Sequence, residues 1–250
     1  MTSQRYFDAM DATWPAAETQ EVGPFLVRDG RDATGATGGK RVSAASLRDT
    51  SFAPTDIEAV EAAQTGMGQA PLFMIRGGAE GADAALDDAL AARGYGLIDP
   101  VSLYAAPVAA LTGETPPTVS TFCIWEPLAI QRDIWAAGGI GPARMAIMER
   151  ATTPKTSLFG RMKDYPAGTG YVAVHNDIAM LHAMEVLPEQ RRKGWGRYAM
   201  RRAALWAQEQ GATEMTLLCV KDNTAANRLY SSLGMSVTEN YHYRIFQGGK

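Results

Sequence analysis

One stretch constrains the fold of this chain more than any other. Residues 181–187 form an apolar run that stops at Pro188. Glu189, Gln190, Arg191, Arg192, Lys193, Gly194, Trp195 and Gly196 follow. From Arg197 the apolar residues recur at helical spacing, through Tyr198, Met200, Ala204, Leu205 and Trp206. A strand, a basic glycine-bearing loop and a helix N-terminus in that order make an anion site. The first-turn N–H groups of a helix have no partners within it. The helix dipole adds about half a positive charge there. Glycine lets the backbone approach a phosphate with no Cβ in the way.

The spacing excludes two familiar phosphate loops. A Walker loop needs G-x-x-x-x-G-K-S/T and a dinucleotide fold needs G-x-G-x-x-G. Neither is present. Arg191-x-x-Gly194-x-Gly196, preceded by Val186, Leu187 and Pro188, resembles instead the cofactor loop of the GNAT (Gcn5-related) N-acetyltransferases. A second block lies at the right distance. Residues 215–220 read as a buried strand, followed by Asn223, Ala226, Leu229, Tyr230, Leu233 and Gly234. This is similar to the family's N-x-x-A-x-x-L-Y-x-x-L-G-F block, with Met235 in place of the usual aromatic. Gly234 also suits a helix C-cap.

The resemblance implies acetyl-CoA as cofactor. Its pyrophosphate would lie on Arg191, Arg192, Lys193, Gly194, Trp195, Gly196 and Arg197. Asn223, Ala226 and Tyr230 would complete the cofactor site. Backbone groups at Met184, Glu185 and Val186 would hold the pantetheine arm like an added strand. Tyr230 matches the tyrosine that protonates the leaving thiolate in many members; a core aromatic beside Leu229 is the plainer reading. The glutamate that serves as base in the histone-acetylating members falls at Met180, which cannot take a proton. His182, two residues on, shares that face of a regular strand. Histidine titrates near neutrality, which suits a base acting through water. By the same parity Met184 and Val186 join the His182 face, and Glu185 lies opposite. Trp125, Glu126 and Trp135 fall in the segment that shapes the acceptor pocket in relatives, and Tyr241 and Tyr243 lie on the last strand, one face of which borders the acceptor site in the family. Ordinary packing is the plainer reading of Trp125, Glu126 and Trp135, and packing is expected of Trp195.

Composition narrows the partners. The 250 residues carry a formal net charge of −3, which argues against nucleic acid as a standing partner. No apolar run approaches the length of a membrane span. The N-terminal residues lack an apolar signal core, so the reading is cytoplasmic. Cys123 and Cys219 form no metal spacing, and no metal is expected. The family resemblance implies a small-molecule amine or a peptide N-terminus or lysine as acceptor, without identifying it. A non-catalytic acyl-CoA sensor or partner-interaction module is the competing reading, and a longer acyl donor is not excluded.

The chain reads as α/β (α+β), with two GNAT-like domains, each a mixed, mostly antiparallel sheet flanked by helices. A polar proline-bearing segment, 112–117, divides it into 1–111 and 118–250. The second domain is the catalytic one. In the first, strands are expected at 25–28, 41–45, 71–76 and 97–104, with helices at 55–69 and 83–93. Setting Gly94 against Gly234 places Asp83 opposite Asn223, Asp87 opposite Asn227 and Leu90 opposite Tyr230. On that alignment the first half is expected to be a diverged copy; an unrelated small α/β domain is the alternative. Its loop at 47–54 lacks the glycines, and Leu90 replaces the tyrosine.

Overall fold

The computed structural model describes residues 2–77 and 80–246. In chain order the elements are α1 (Thr2–Thr13), β1 (Glu18–Val22), β2 (Phe25–Asp29), β3 (Ala45–Leu47), α2 (Pro54–Gly66), β4 (Leu72–Arg76), α3 (Ala82–Ala92), β5 (Tyr95–Pro107) and α4 (Val108–Leu111). Then follow β6 (Thr121–Ile124), α5 (Ala129–Ala137), α6 (Pro142–Arg150), β7 (Lys155–Met162), β8 (Tyr165–His175), β9 (Ile178–Val186), α7 (Trp195–Glu209), β10 (Glu214–Val220), α8 (Thr224–Ser232) and β11 (Ser236–Phe246). The fold is α/β, with mixed, mostly antiparallel strand pairing and flanking helices. No helix among the described residues is long and apolar enough to cross a membrane.

The chain forms two compact units, and they are not the linear halves expected on either side of 112–117. Unit 1 takes the N-terminal segment up to Pro15, then Tyr104–Cys219 and Asn223–Thr238. Unit 2 takes Ala16–Leu103, Val220–Asp222 and the chain from Glu239 on. The proline-bearing segment 112–117 therefore lies inside unit 1. It marks an exposed loop rather than a boundary. Just before it, Val108 and Leu111 of α4 are buried in the unit 1 core, so a cut at 118 would remove core residues.

Unit 1 pairs β6, β7, β8 and β9 antiparallel in sequence, and β9 runs parallel to β10. Helix α7 covers one face. Its buried stripe of Ala199, Met200, Ala203, Ala204 and Ala207 meets Leu158, Val172, Ala179, Leu181 and Leu217. Alanines let the helix approach the sheet closely and cost no side-chain entropy. On the opposite face, Gln131 of α5 donates to Ser157 Oγ at 2.9 Å and to Thr169 Oγ1 at 3.2 Å. Helix α1 is tied to this unit by Arg5, whose guanidinium lies 2.7 Å from Asp177 and 2.9 Å from Glu214. The Tyr6 hydroxyl donates to Glu214 at 2.6 Å.

Unit 2 pairs β1, β2 and β3 antiparallel, β3 parallel to β4, and β4 antiparallel to β11. Its core sets Phe25, Val27, Phe73 and Ile75 against Ile57, Val60, Leu86 and Leu90 of α2 and α3. Gln64 extends the inner face of α2, and its buried amide donates to the Ser43 and Leu72 carbonyls at 3.1 and 3.0 Å. The strand expected at 41–45 is displaced. A 3-10 turn occupies Lys40–Val42, and β3 begins at Ala45.

Candidate functional site

The cleft arises where β9 and β10 stop pairing. Their parallel register runs from Ile178 opposite Glu214 to Leu181 opposite Leu217. Beyond it β9 continues to Val186, with a one-residue irregularity. Glu185 pairs with Thr169 and His182 with Tyr171, so three steps on β9 match two on β8. Ala183 supplies the extra residue and sits at φ 50°, a left-handed conformation that L side chains rarely adopt. This is a β-bulge.

The bulge overturns the parity expected for a regular strand. Thr169 and Tyr171 are two apart and share a face. Their direct partners Glu185 and His182 therefore share a face as well. Met184 and Val186 lie on the other side, packed against the α7 core.

A cleft of about 750 Å³ opens at this point. Met184, Glu185 and Val186 form one wall, and the loop at 190–197 another. Asn223, Ala226 and Tyr230 of the α8 region form the third, together with Ala225 and Leu229, which sequence reasoning did not assign to the cofactor. Of the expected cofactor residues, Lys193 alone is absent from the lining; its ammonium donates to Gln190 Oε1 at 3.3 Å.

The loop's conformation explains its residues. Gly194 caps α7 at φ 96°, where a Cβ would be strained. Arg192 is also left-handed, at φ 62°. No side chain caps α7, and its first turn holds no acid. Gly196 serves a second purpose: a Cβ there would lie 2.9 Å from Leu229 Cδ2 and 3.2 Å from Met184 Cε. Trp195 is buried, its ring filling the space above Gly160 and Gly168, and its Nε1 donates to Thr121 Oγ1 at 3.1 Å. Arg191 ties the loop to β9, donating to the Val186 carbonyl at 3.0 Å and to Glu185 at 3.3 Å. Arg197 donates to Ser232 Oγ at 2.8 Å. Asn223 caps α8, its side chain accepting from the Ala226 N–H at 3.1 Å.

Tyr230 is buried yet reaches the cleft. Loss of solvent, reinforced by Cys219 and Tyr104, holds its phenol well above the usual tyrosine value. It stays protonated through the physiological range. The Tyr104 ring lies 5.6 Å away, and its hydroxyl donates to Asn227 Oδ1 at 2.9 Å.

The other expected residues lie elsewhere. His182 is 5% exposed and is not part of the cleft lining. Its ring stacks on Trp14 at 5.1 Å, and Nε2 is 2.9 Å from Thr13 Oγ1. Since the Thr13 hydroxyl donates to the Ala9 carbonyl at 2.6 Å, the histidine Nε2–H is the donor in that pair. Met180 is fully buried. Trp125 packs 5.9 Å from Tyr171, with the Lys155 ammonium 4.7 Å from its ring, and Glu126 is exposed. Neither lines the cleft. Tyr241 and Tyr243 are buried residues of unit 2, where β11 pairs with β4. Cys123 and Cys219 are free thiols, and burial raises that of Cys219 to about 11. Among the described residues no group of three or more His, Cys, Asp or Glu is placed to hold a metal.

Comparison with known proteins agrees with this geometry. Residues 128–235 match the model of the acetyltransferase (GNAT) family. YobR, an uncharacterized N-acetyltransferase of Bacillus subtilis, is 29% identical over 242 residues, 94% of each chain. A GCN5-related N-acetyltransferase from Kribbella flavida superposes with a TM-score of 0.72 at 18% identity, covering 99% of this chain and 96% of that one. A tandem GNAT protein from the clavulanic acid biosynthesis pathway gives a TM-score of 0.61 at 12% identity, over 90% of this chain and 78% of its own.

Proposed function

We propose that this chain, which carries the GNAT-family fold, is an acetyl-CoA-dependent N-acetyltransferase acting on an amine. The observation that carries the reading is one cleft lined by three things: the uncapped α7 N-terminus, the strand segment 184–186 and the Tyr230 phenol. The residues present fit coenzyme A. First-turn amides with Arg191, Arg192 and Arg197 suit a pyrophosphate. An extended arm suits the part of β9 beyond its register with β10. Lys193 adds charge nearby.

Bound there, acetyl-CoA supplies an acetyl thioester. The chain's residues then hold the ligand and move protons. Amides and guanidiniums fix the nucleotide end, and backbone groups at Met184, Glu185 and Val186 align the arm. Tyr230 donates its proton to the departing sulfur as the new C–N bond forms and the C–S bond breaks. His182 receives the amine proton through water. Trp125, Glu126, Tyr241 and Tyr243 are proposed to meet the acceptor, a small-molecule amine or a peptide amine. Unit 2 is proposed to be a diverged GNAT-like copy. Its support is a shared order of elements and pairing senses, with β2, β3, α2, β4 and α3 repeating β8, β9, α7, β10 and α8. The proposed compartment is the cytoplasm.

A second reading, a non-catalytic acyl-CoA sensor, is favoured by two observations. His182 is engaged by Thr13 and Trp14 outside the cleft lining, and Met180 holds the carboxylate position. Release of free CoA from acetyl-CoA with a panel of amines separates the two. Turnover with any amine supports the enzyme. Binding of CoA without turnover across small amines and peptides supports the sensor. Longer acyl-CoA donors in the same assay define the acyl group.

A further inference from the structure

We infer that Trp135 is a positioning residue for the acyl group, acting through the carbonyl of Ala183; the inference rests on the acyl-CoA reading above. Trp135 lies near the end of α5 and is fully buried. A buried indole N–H requires an acceptor. Here Nε1 donates to the Ala183 carbonyl at 2.7 Å. The acceptor is the residue in the left-handed conformation at the bulge. One turn further along, α5 meets the same strand again. A Cβ at Gly138 would lie 2.6 Å from Glu185 Oε2. The C-terminal end of α5 therefore docks on β9 on both sides of Met184.

The consequence follows from peptide geometry. A trans peptide is planar, and its C=O and N–H point in opposite directions. With the Ala183 carbonyl held toward α5, the Met184 N–H is turned away from α5. Met184 itself lines the cleft. An extended arm lying along 184–186 presents its thioester end toward Tyr230, which lines the same cleft. The Trp135 bond thus sets the plane of the peptide beside the acyl carbonyl. It plays no part in holding the nucleotide end, which rests on the loop at 190–197.

That separation gives a test. Trp135→Phe in the full chain removes the indole N–H and keeps most of the ring volume. Acetyl-CoA and CoA are titrated calorimetrically into both proteins. The account expects CoA affinity to change less than about twofold, while acetyl-CoA affinity falls about tenfold, the size of one well-aligned hydrogen bond. Equal losses for both ligands, or no loss for either, overturn it. If Trp135→Phe does not fold by thermal melting, benzothienylalanine at 135 replaces the N–H by sulfur in the same shape, with the same expectation. Failure of the wild-type chain to bind either ligand removes the acyl-CoA reading itself. Binding by the wild type with an unchanged ligand preference in the variant removes only the role of Trp135.

Discussion

Helices α2 and α7 each follow a strand and a loop, but their N-termini are finished differently. In unit 2, Pro54 opens α2, and the Asp56 carboxylate, three residues beyond the cap, accepts the Ala53 N–H at 2.7 Å. The positive end of that helix carries its own anion. In unit 1, α7 opens at Gly194 with no side-chain cap, no acid in its first turn and Arg197 at the position Asp56 holds in α2. The two starts share a topology and differ in where the negative charge comes from. A helix that supplies its own carboxylate has no use for an external phosphate, whereas one that presents arginine and bare amides does. The helices that follow repeat the contrast. Leu90 of α3 is fully buried in an apolar core, while Tyr230 of α8 reaches the cleft. Both helices are followed by a glycine in the left-handed region, Gly94 at φ 85° and Gly234 at φ 80°.

The sharpest way to break this comparison is to give α7 the charge of α2. Arg197→Asp should lower CoA affinity by about a hundredfold, since it both removes a cation and fills the amide site with an anion. Arg197→Ala should lose about tenfold or less. Equal affinities of the Asp variant and wild type, by calorimetry, would mean that α7 does not hold the pyrophosphate. Tyr230→Phe should reduce kcat by about a hundredfold with little change in acetyl-CoA affinity. Unaltered turnover would return Tyr230 to a packing role like that of Leu90.

The unit 2 counterparts should affect stability and leave CoA affinity alone. Leu90→Ala is expected to cost about 2–5 kcal/mol, read from denaturant unfolding. Asp56→Asn should cost about 1 kcal/mol, the worth of a helix-start interaction, and should create no second CoA site. The smallest effect concerns acid. Asp87 of α3 is half-buried, which alone would raise its pKa. Arg244 at 2.6 Å and His242 at 2.8 Å more than offset this and hold it below the usual carboxylate range. Its stabilising contribution is therefore present above the unfolded pKa and lost as pH falls through the lower folded value. Asp87→Asn should flatten the decline of melting temperature between about pH 5 and pH 2. An identical decline in the variant would show that the pair contributes nothing.

What the sequence made legible were features with local causes. The apolar run, the glycines at 194 and 196 and the helical spacing after Arg197 announced β9, the loop and α7. Gly94 and Gly234 after α3 and α8 marked helix ends for the same reason. The bulge was not legible. Ala183 carries none of the glycine or asparagine signal that usually marks a left-handed residue, and one extra strand residue changes no composition. Yet it decides which face Glu185 and Met184 occupy. The bond made by Trp135 was not legible either, because its partner is a backbone carbonyl 48 positions away, which no spacing rule reaches. The exchange of segments was hidden for the same reason. That Tyr104 onward falls in unit 1 and Glu239 onward in unit 2 depends on tertiary contacts, whereas the proline-bearing run at 112–117 reports only a local loop.

The stoichiometry of CoA binding to the full chain tests the division between α7 and α2 most directly. Calorimetric titration should give one site per chain, abolished or weakened about a hundredfold by Arg197→Asp and untouched by Asp56→Asn. Two sites per chain, or one that survives Arg197→Asp and disappears with Asp56→Asn, would contradict the account.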